Sequence, residues 1–312
     1  MKTLIKNGKI ATAGDLFYGD ISIVDGIIME IGTSLKGSYD NEINAFGKLV
    51  IPGGVDVHTH FNLHTGSVVA RDDFYTGTVA AACGGTTSIV DHMGFGPEGC
   101  SLDHQLKVYH KYAKDNAVVD YSFHGVLQHI NEDVLKQLED MVVNQGISSF
   151  KAYMTYDYML KDSDLLRVME RLKDLHGILA VHAENHEIIA YLVRRYTNEG
   201  YTAPIYHALS RPDFCEGDAV SRAISLAAAI EDMPLYIVHL STEAALQHVM
   251  RAAAFGERIY AETCPQYLLL NDEKYMHGVE EGLRYILSPP LRRRKNCEAL
   301  WQGIRAGYIQ VV

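Results

Sequence analysis

The chain lacks the features that mark membrane-spanning, nucleic-acid-binding and disulfide-stabilised proteins. No apolar run is as long as the about 18 residues that a membrane-spanning helix needs. The first residues also lack the long apolar segment that is typical of a signal peptide. The formal net charge of −11 leaves no global positive field that could neutralise phosphates. The five cysteines are scattered and form no CxxC pair, which argues against a disulfide framework and against a cysteine zinc site. We therefore expect a cytoplasmic protein that binds neither nucleic acid nor a membrane.

What remains is an ordinary globular composition, with 47% apolar and 21% charged residues among 312. A chain of this length can bury a large core as one large domain or as two. The one short basic run, RRRK at residues 292–295, is predicted to form a solvated turn or the start of a helix.

The first fifty residues differ in rhythm from the rest of the chain. Short alternating apolar runs are separated by Asn7-Gly8, Asp25-Gly26 and Gly32. Asn-Gly and Asp-Gly are strong signals for hairpin turns. Residues 1–50 are therefore predicted to form a small antiparallel sheet, part of a β-sandwich.

From residue 51 onwards, strand-like runs alternate with amphipathic segments. The expected strands are Leu49–Val57, Thr86–Asp91, Val118–Phe123, Ser148–Tyr153, Ile178–Val181, Leu235–His239, Arg258–Glu262 and Tyr308–Val312. The expected helices are Ser67–Cys83, Leu102–Lys114, Asn131–Asn144, Lys161–His176, Glu184–Glu199, Cys215–Glu231, Thr242–Phe255 and Asn296–Arg305. This alternation predicts an α/β fold of the TIM-like (β/α)8 barrel type over residues 51–312. A doubly wound sheet is the alternative, but no GxGxxG follows the first strand.

The sequence Val55-Asp56-Val57-His58-Thr59-His60 ends the first predicted barrel strand. In a strand, residues i and i+2 point to the same face, so both imidazoles would enter one space. Neutral imidazole is the commonest side-chain metal ligand. The alternative is that one histidine is a hydrogen-bonded core residue and the other is exposed.

Three more polar side chains fall near the ends of later strands, where a barrel carries its chemistry. Lys151 lies in the fourth strand, His182 ends the fifth and His239 ends the sixth. Either histidine alone could be a structural residue, but a buried lysine without a partner is unfavourable. Its amine can react with carbon dioxide to give a carbamate, an anionic ligand able to bridge two divalent metals. Together these residues favour a metal site over separate structural roles.

The chain resembles the hydantoinase/dihydropyrimidinase family of the amidohydrolase superfamily, and within it the bacterial D-phenylhydantoinase branch. The resemblance rests on the segments IPGGVDVHTHF (51–61), DDFYTGTVAAACGGTTSIVDHM (72–93), SSFKAYMTY (148–156), AVHAEN (180–185), LYIVHLS (235–241), ETCPQYLLL (262–270) and ILSPPLR (286–292). It extends over the whole chain. YHALSRP (206–212) and DHMGFGP (91–97) indicate the branch.

The resemblance implies a binuclear zinc site in a homotetrameric enzyme. His58 and His60 would bind one zinc, His182 and His239 the other, and carboxylated Lys151 would bridge both together with a hydroxide. Tyr156 would hydrogen-bond the substrate carbonyl and its developing oxyanion, and the backbone of Ser288 would contact the ring amide. The implied reaction is hydrolysis of 5-substituted hydantoins to N-carbamoyl amino acids.

The family pattern also implies an aspartate that transfers the proton, in a position just beyond Val312. From this we expect the chain to be C-terminally truncated, its sandwich incomplete and its hydantoinase activity impaired. Loop residues that could line a substituent pocket are Leu63, His64, Phe95, Tyr158, Met159 and Leu160. Allantoinase, dihydroorotase and dihydropyrimidinase activities stay open, as does a non-catalytic dihydropyrimidinase-related scaffold.

Overall fold

A computed structural model describes residues 1–66 and 68–312. The N-terminal sheet contains β1 (Lys2–Ala11), β2 (Leu16–Val24), β3 (Ile27–Gly32), β4 (Asn41–Asn44) and β5 (Leu49–Val50). Its order is β3-β2-β1-β4, and β5 also pairs with β1. The predicted early β region is therefore present, and it ends at Val50. The domain boundary that we placed there stays a prediction.

The N-terminal sheet is mixed, whereas we expected an antiparallel one. β1 and β2 pair antiparallel, as do β2 and β3, but β4 and β5 run parallel to β1. The turn at Asp25-Gly26 is present, with positive φ at both residues. Asn7-Gly8 is not a turn: it lies inside β1, where the register with β2 shifts. A residue pair that tolerates positive φ is suited to a β-bulge as well as to a turn. The Asn-Gly pair alone therefore does not distinguish a bulge from a hairpin turn.

The remainder of the chain alternates strands and helices. In chain order it contains β6 (Gly54–Thr59), β7 (His64–Thr65), β8 (Val68–Val69), α1 (Phe74–Cys83), β9 (Thr86–His92), α2 (Leu102–Ala113), β10 (Asp120–Val126), α3 (Glu132–Val143), β11 (Ser149–Tyr153), α4 (Asp162–Asp174), β12 (Ile178–His182), α5 (His186–Asn198), α6 (Ile205–Leu209), α7 (Asp213–Ala229), β13 (Leu235–Ile237), α8 (Glu243–Ala254), β14 (Ile259–Ala261), α9 (Pro265–Leu269), a 3-10 helix (Asp272–Met276), α10 (Val279–Leu283) and α11 (Arg294–Arg305).

Seven of these strands form one parallel sheet, in the order β6-β9-β10-β11-β12-β13-β14. Sequential neighbours joined through helices are the topology of a TIM-like barrel, as predicted. The eighth predicted strand is present as a single bridge, in which Val311 pairs parallel with Glu262. Consecutive strands deliver their carboxyl ends to the same edge, which is where the candidate site lies.

Two predicted elements differ in extent. The strand expected over Leu49–Val57 is split, because Pro52 has no N–H to donate; β5 joins the N-terminal sheet and β6 joins the barrel. The helix expected from Ser67 begins at Phe74, where the Asp73 carboxylate accepts a hydrogen bond from the Thr76 amide. Ser67 itself lies outside the described residues.

The main core lies between the sheet and its helices. It includes Phe74, Phe123, Phe150, Leu138 and Leu165, all essentially inaccessible to solvent. In the described part of the chain, no helix is long and apolar enough to span a membrane.

The basic run at 292–295 was predicted to be solvated, which is wrong for its first residue. Arg292 is buried, and its guanidinium donates to the hydroxyl of Ser241 and to the carbonyl of Arg211. α11 begins only at Arg294. Burial of Arg292 depends on acceptors distant in sequence, which the charge pattern does not reveal.

Candidate active site

The five expected ligand residues converge at the carboxyl ends of the barrel strands. His58 is in β6 and His60 directly follows that strand; Lys151 is in β11 and His182 ends β12. His239 follows β13. The ring centroids of His58 and His239 are 5.4 Å apart, and those of His182 and His239 are 4.6 Å apart. The fold therefore brings residues as far apart in sequence as His58 and His239 into one cluster.

Lys151 places a charged-type side chain in the interior of this cluster. Its Nζ is buried and has no hydrogen-bond partner among the described residues. Burial lowers the pKa of its ammonium group to about 7, although Glu262 opposes the change. A substantial fraction of the side chain is therefore a neutral amine near neutral pH, which is the form that adds carbon dioxide.

The surrounding imidazoles are held neutral. Burial is the main cause that lowers the pKa of His60 and of His239 well below its ordinary value. The Nδ1 atoms of both residues are buried without a hydrogen-bond partner in the described structure. Neutral imidazoles with a free lone pair are the form that binds a cation.

The geometry of the His-x-His pair fits two ligands of one metal ion. The Nε2 atoms of His58 and His60 face each other at 3.3 Å. Two nitrogens bound to one tetrahedral ion at about 2.0–2.1 Å would be separated by about the same distance. Within residues 1–66 and 68–312, no three His, Cys, Asp or Glu side chains form a ready-made ligand group.

Two buried carboxylates contact the candidate ligands. Glu262 accepts from His58 Nδ1, and Glu184 Oε2 lies 2.8 Å from His182 Nε2. Burial alone would raise the pKa of each carboxyl group, but the histidine contacts outweigh it and lower both pKa values. Both groups are therefore anionic acceptors that can orient an imidazole.

Tyr156 lies at the edge of the cluster. Its ring centroid is 5.1 Å from that of His182, and its backbone is in the left-handed region with φ of 74°. Burial, reinforced by Glu184 and opposed by the Ser288 side chain, raises the pKa of the Tyr156 phenol to about 12. Tyr156 and Ser288 are thus neighbours, and Tyr156 remains a protonated hydrogen-bond donor at neutral pH.

Of the loop residues expected to line a pocket, Phe95 and Tyr158 do come together. Their ring centroids are 4.6 Å apart, and Phe95 is 5.1 Å from the ring of Tyr153. Leu160 is buried, and its amide donates to the carbonyl of Tyr153, so it packs in the core. His64 is exposed in the β7–β8 hairpin.

Polar groups at the second and third strand ends were missed by the sequence analysis. His92 ends β9, with its ring centroid 4.2 Å from that of His58 and 4.1 Å from that of His124. Asp91 accepts from the Thr59 hydroxyl at 2.7 Å and from the Phe61 amide at 2.9 Å. The rule that selected the other strand-end histidines would have found His92 and His124.

Comparison with known proteins agrees with this geometry. The model of the dihydro-orotase-like family matches residues 47–245. D-phenylhydantoinase of Escherichia coli (strain K12) is 49% identical over 313 aligned positions, which cover 100% of this chain and 67% of that protein.

Solved structures similar to this chain include a D-hydantoinase and a dihydropyrimidinase. A dihydropyrimidinase from Brevibacillus agri NCHU1002 superposes with a TM-score of 0.97 at 41% identity, covering 100% of this chain and 68% of that one. A D-hydantoinase superposes with a TM-score of 0.97 at 38% identity, over 100% and 68% of the two chains. The chain therefore spans about two thirds of the length of these relatives. Its sequence and its fold place it in the hydantoinase/dihydropyrimidinase family of metal-dependent amidohydrolases.

Proposed function

We propose that this chain carries the catalytic barrel of an enzyme that opens 5-substituted hydantoins to N-carbamoyl amino acids. The observation that carries the proposal is the buried Nζ of Lys151, which has no hydrogen-bond partner among the described residues and lies among four histidines at the carboxyl ends of the strands. A buried amine without a partner is costly unless it has a use in the site. Relatives named D-phenylhydantoinase and D-hydantoinase support the substrate class.

The proposed cofactor is a pair of zinc ions. His58 and His60 would hold one, His182 and His239 the other, and a carbamate on Lys151 would reach both. Imidazole nitrogen and anionic oxygen are ligands that zinc accepts readily. Such ions would polarise the substrate carbonyl and would provide a nucleophile that is active at neutral pH.

The chain's own residues then orient the ring and stabilise charge. Tyr156, with its pKa raised to about 12, donates its hydroxyl hydrogen to the carbonyl oxygen as that atom becomes negative. The backbone of Ser288 holds the ring amide beside it. Because the phenol is protonated at neutral pH, this donor is available without a preceding proton transfer.

The aromatic wall formed by Phe95, Tyr153 and Tyr158 supports a preference for bulky or aromatic exocyclic substituents. The three neighbouring rings offer flat apolar area on which a phenyl group can pack. Dihydropyrimidinase activity is the second candidate, because a solved relative that is 41% identical carries that name.

The test is the ratio of kcat/KM for 5-phenylhydantoin to that for dihydrouracil, measured on the zinc-loaded protein. We expect the hydantoin to be the better substrate, with an N-carbamoyl amino acid as product. Faster turnover of dihydrouracil would establish the second candidate. Absence of both reactions in protein with two bound zinc ions would exclude the proposed function.

We also propose that the protein is a homo-oligomer, a tetramer by the family resemblance. In support, the edge strand β3 exposes Ile27, Ile28, Met29 and Ile31 to solvent. An exposed apolar edge strand favours association. Sedimentation of the purified protein tests this assembly separately from the chemistry.

A further inference from the structure

Glu262 occupies the position just after β14, and its carboxylate is almost completely buried. Three donors converge on it, one from His58 on β6 and two from β13 and the turn that follows it. Its Oε1 accepts from His58 Nδ1 and, at 3.0 Å, from the backbone amide of His239. Its Oε2 accepts from the Tyr236 hydroxyl at 2.6 Å.

The contact with His58 determines which nitrogen of that ring is free. The His239 amide and the Tyr236 hydroxyl both donate to this carboxylate, so it acts as an acceptor on both oxygens and Nδ1 of His58 is the donor in the third contact. In a neutral imidazole the lone pair then lies on Nε2, the atom that faces His60 Nε2 at 3.3 Å. The opposite tautomer would direct a hydrogen into the space between the two histidines.

The contact with His239 is to the backbone. His239 has φ of 41°, in the left-handed region that non-glycine residues seldom adopt. Its amide is tied to Glu262, while the Glu262 amide donates to the Ile237 carbonyl and the Leu240 amide donates to the Glu262 carbonyl. Hydrogen bonds from both the side chain and the backbone of Glu262 therefore fix the turn that carries His239.

We propose that Glu262 is a positioning residue that sets the Nδ1–H tautomer of His58 and the backbone conformation of His239. One carboxylate thus prepares a ligand of each of the two proposed metal positions. The metal-related part of this inference rests on the proposed function, whereas the tautomer does not. Outer carboxylates of this kind typically change metal affinity by about 10–100-fold.

The first experiment uses metal-free protein with ¹⁵N-labelled histidine. Long-range ¹⁵N–¹H spectra report the tautomer of His58, assigned by its disappearance in H58N. We expect Nδ1–H in the unsubstituted chain and a mixture of tautomers in E262L, which lacks the acceptor. A His58 ring protonated on Nε2 in the unsubstituted chain overturns the proposal, whether or not E262L folds.

The second experiment compares two buried carboxylates at the same end of the barrel. Glu216 accepts from the Ser241 amide at 2.9 Å and from the hydroxyls of Ser241 and Thr242, but contacts no proposed ligand. Zinc affinity, measured against a chelator, should fall about 10–100-fold in E262Q. E216Q, which also removes a buried charge, should leave the affinity unchanged.

These outcomes separate the inference from the proposed function. Equal losses of zinc affinity in E262Q and E216Q would reduce Glu262 to a structural role. If the unsubstituted chain bound no zinc, the proposed function would fail, and the tautomer of His58 would still decide whether Glu262 positions that ring.

Discussion

At the scale of single residues, Lys151 and Tyr156 illustrate how burial changes chemistry. Both lie in the site, and burial shifts each towards its uncharged form: it lowers the pKa of the Lys151 ammonium and raises that of the Tyr156 phenol. The first becomes an amine able to form a carbamate, and the second remains a donor. The same desolvation thus supports two different proposed roles.

Replacing Lys151 by methionine should abolish zinc binding at the bridged site while stabilising the metal-free protein. Methionine fills a similar volume without a donor that lacks an acceptor, and an unsatisfied buried donor costs about 1–3 kcal/mol. Thermal unfolding and zinc analysis would measure both effects. K136M, at an exposed position on α3, is the control and should change neither. A metal-free K151M protein less stable than the parent would contradict this account.

Replacing Tyr156 by phenylalanine should lower kcat by about 10²–10³-fold with a smaller change in KM. The expected loss is that of one donor to a developing oxyanion. Steady-state kinetics on the zinc-loaded protein would measure it. Y191F removes a hydroxyl from an exposed tyrosine on α5 and should keep kcat. Similar kcat values for Y156F and the parent would remove Tyr156 from the mechanism.

At the scale of elements, α1 supports the segment that carries the His-x-His pair. Phe61 directly follows His60, and its ring packs on Phe74 with centroids 5.6 Å apart. A methyl group added at Gly77 would lie 2.2 Å from Phe61 Cε1, too close without displacement of the ring. Gly77 is thus required for close approach of the helix to this segment.

Gly77→Ala should destabilise the protein by about 1–3 kcal/mol and weaken zinc binding through the shift of Phe61. Gly84→Ala is the matched control at the end of the same helix, where an added methyl group has no neighbour closer than 3.4 Å. Chemical denaturation and zinc titration would compare the two variants. Equal effects would show that the contact with Phe61 is unimportant.

At the scale of the whole molecule, the N-terminal sheet presents an apolar edge. On β3, Ile27 is 65% exposed and Met29 is 64% exposed, and the strand is the outermost of its sheet. Such a surface favours association with further β structure or with another copy of the chain.

The chain should therefore self-associate as its concentration rises, and Met29→Lys should reduce the association without lowering the unfolding temperature. A charge on an edge strand opposes pairing. Analytical ultracentrifugation would compare M29K with S38K, which adds the same charge at an exposed polar position. If both variants sedimented alike, β3 would not be the associating surface.

Local patterns in the chain were enough to predict the alternating strand–helix order, and with it the barrel edge to which His58, Lys151, His182 and His239 belong. Hydrophobic periodicity is local, and parallel strands connected through helices present their carboxyl ends together. The family resemblance then assigned roles to those residues and to Tyr156.

The groups that surround the expected ligands could be identified only in the folded chain. The bonds from His58 to Glu262 and from Arg292 to Ser241 join residues 204 and 51 positions apart. The tertiary structure also decided that Asn7-Gly8 forms a bulge rather than a turn. In each case the stabilising partner comes from a distant segment, and the energy of that contact outweighs the local preference that a sequence pattern records.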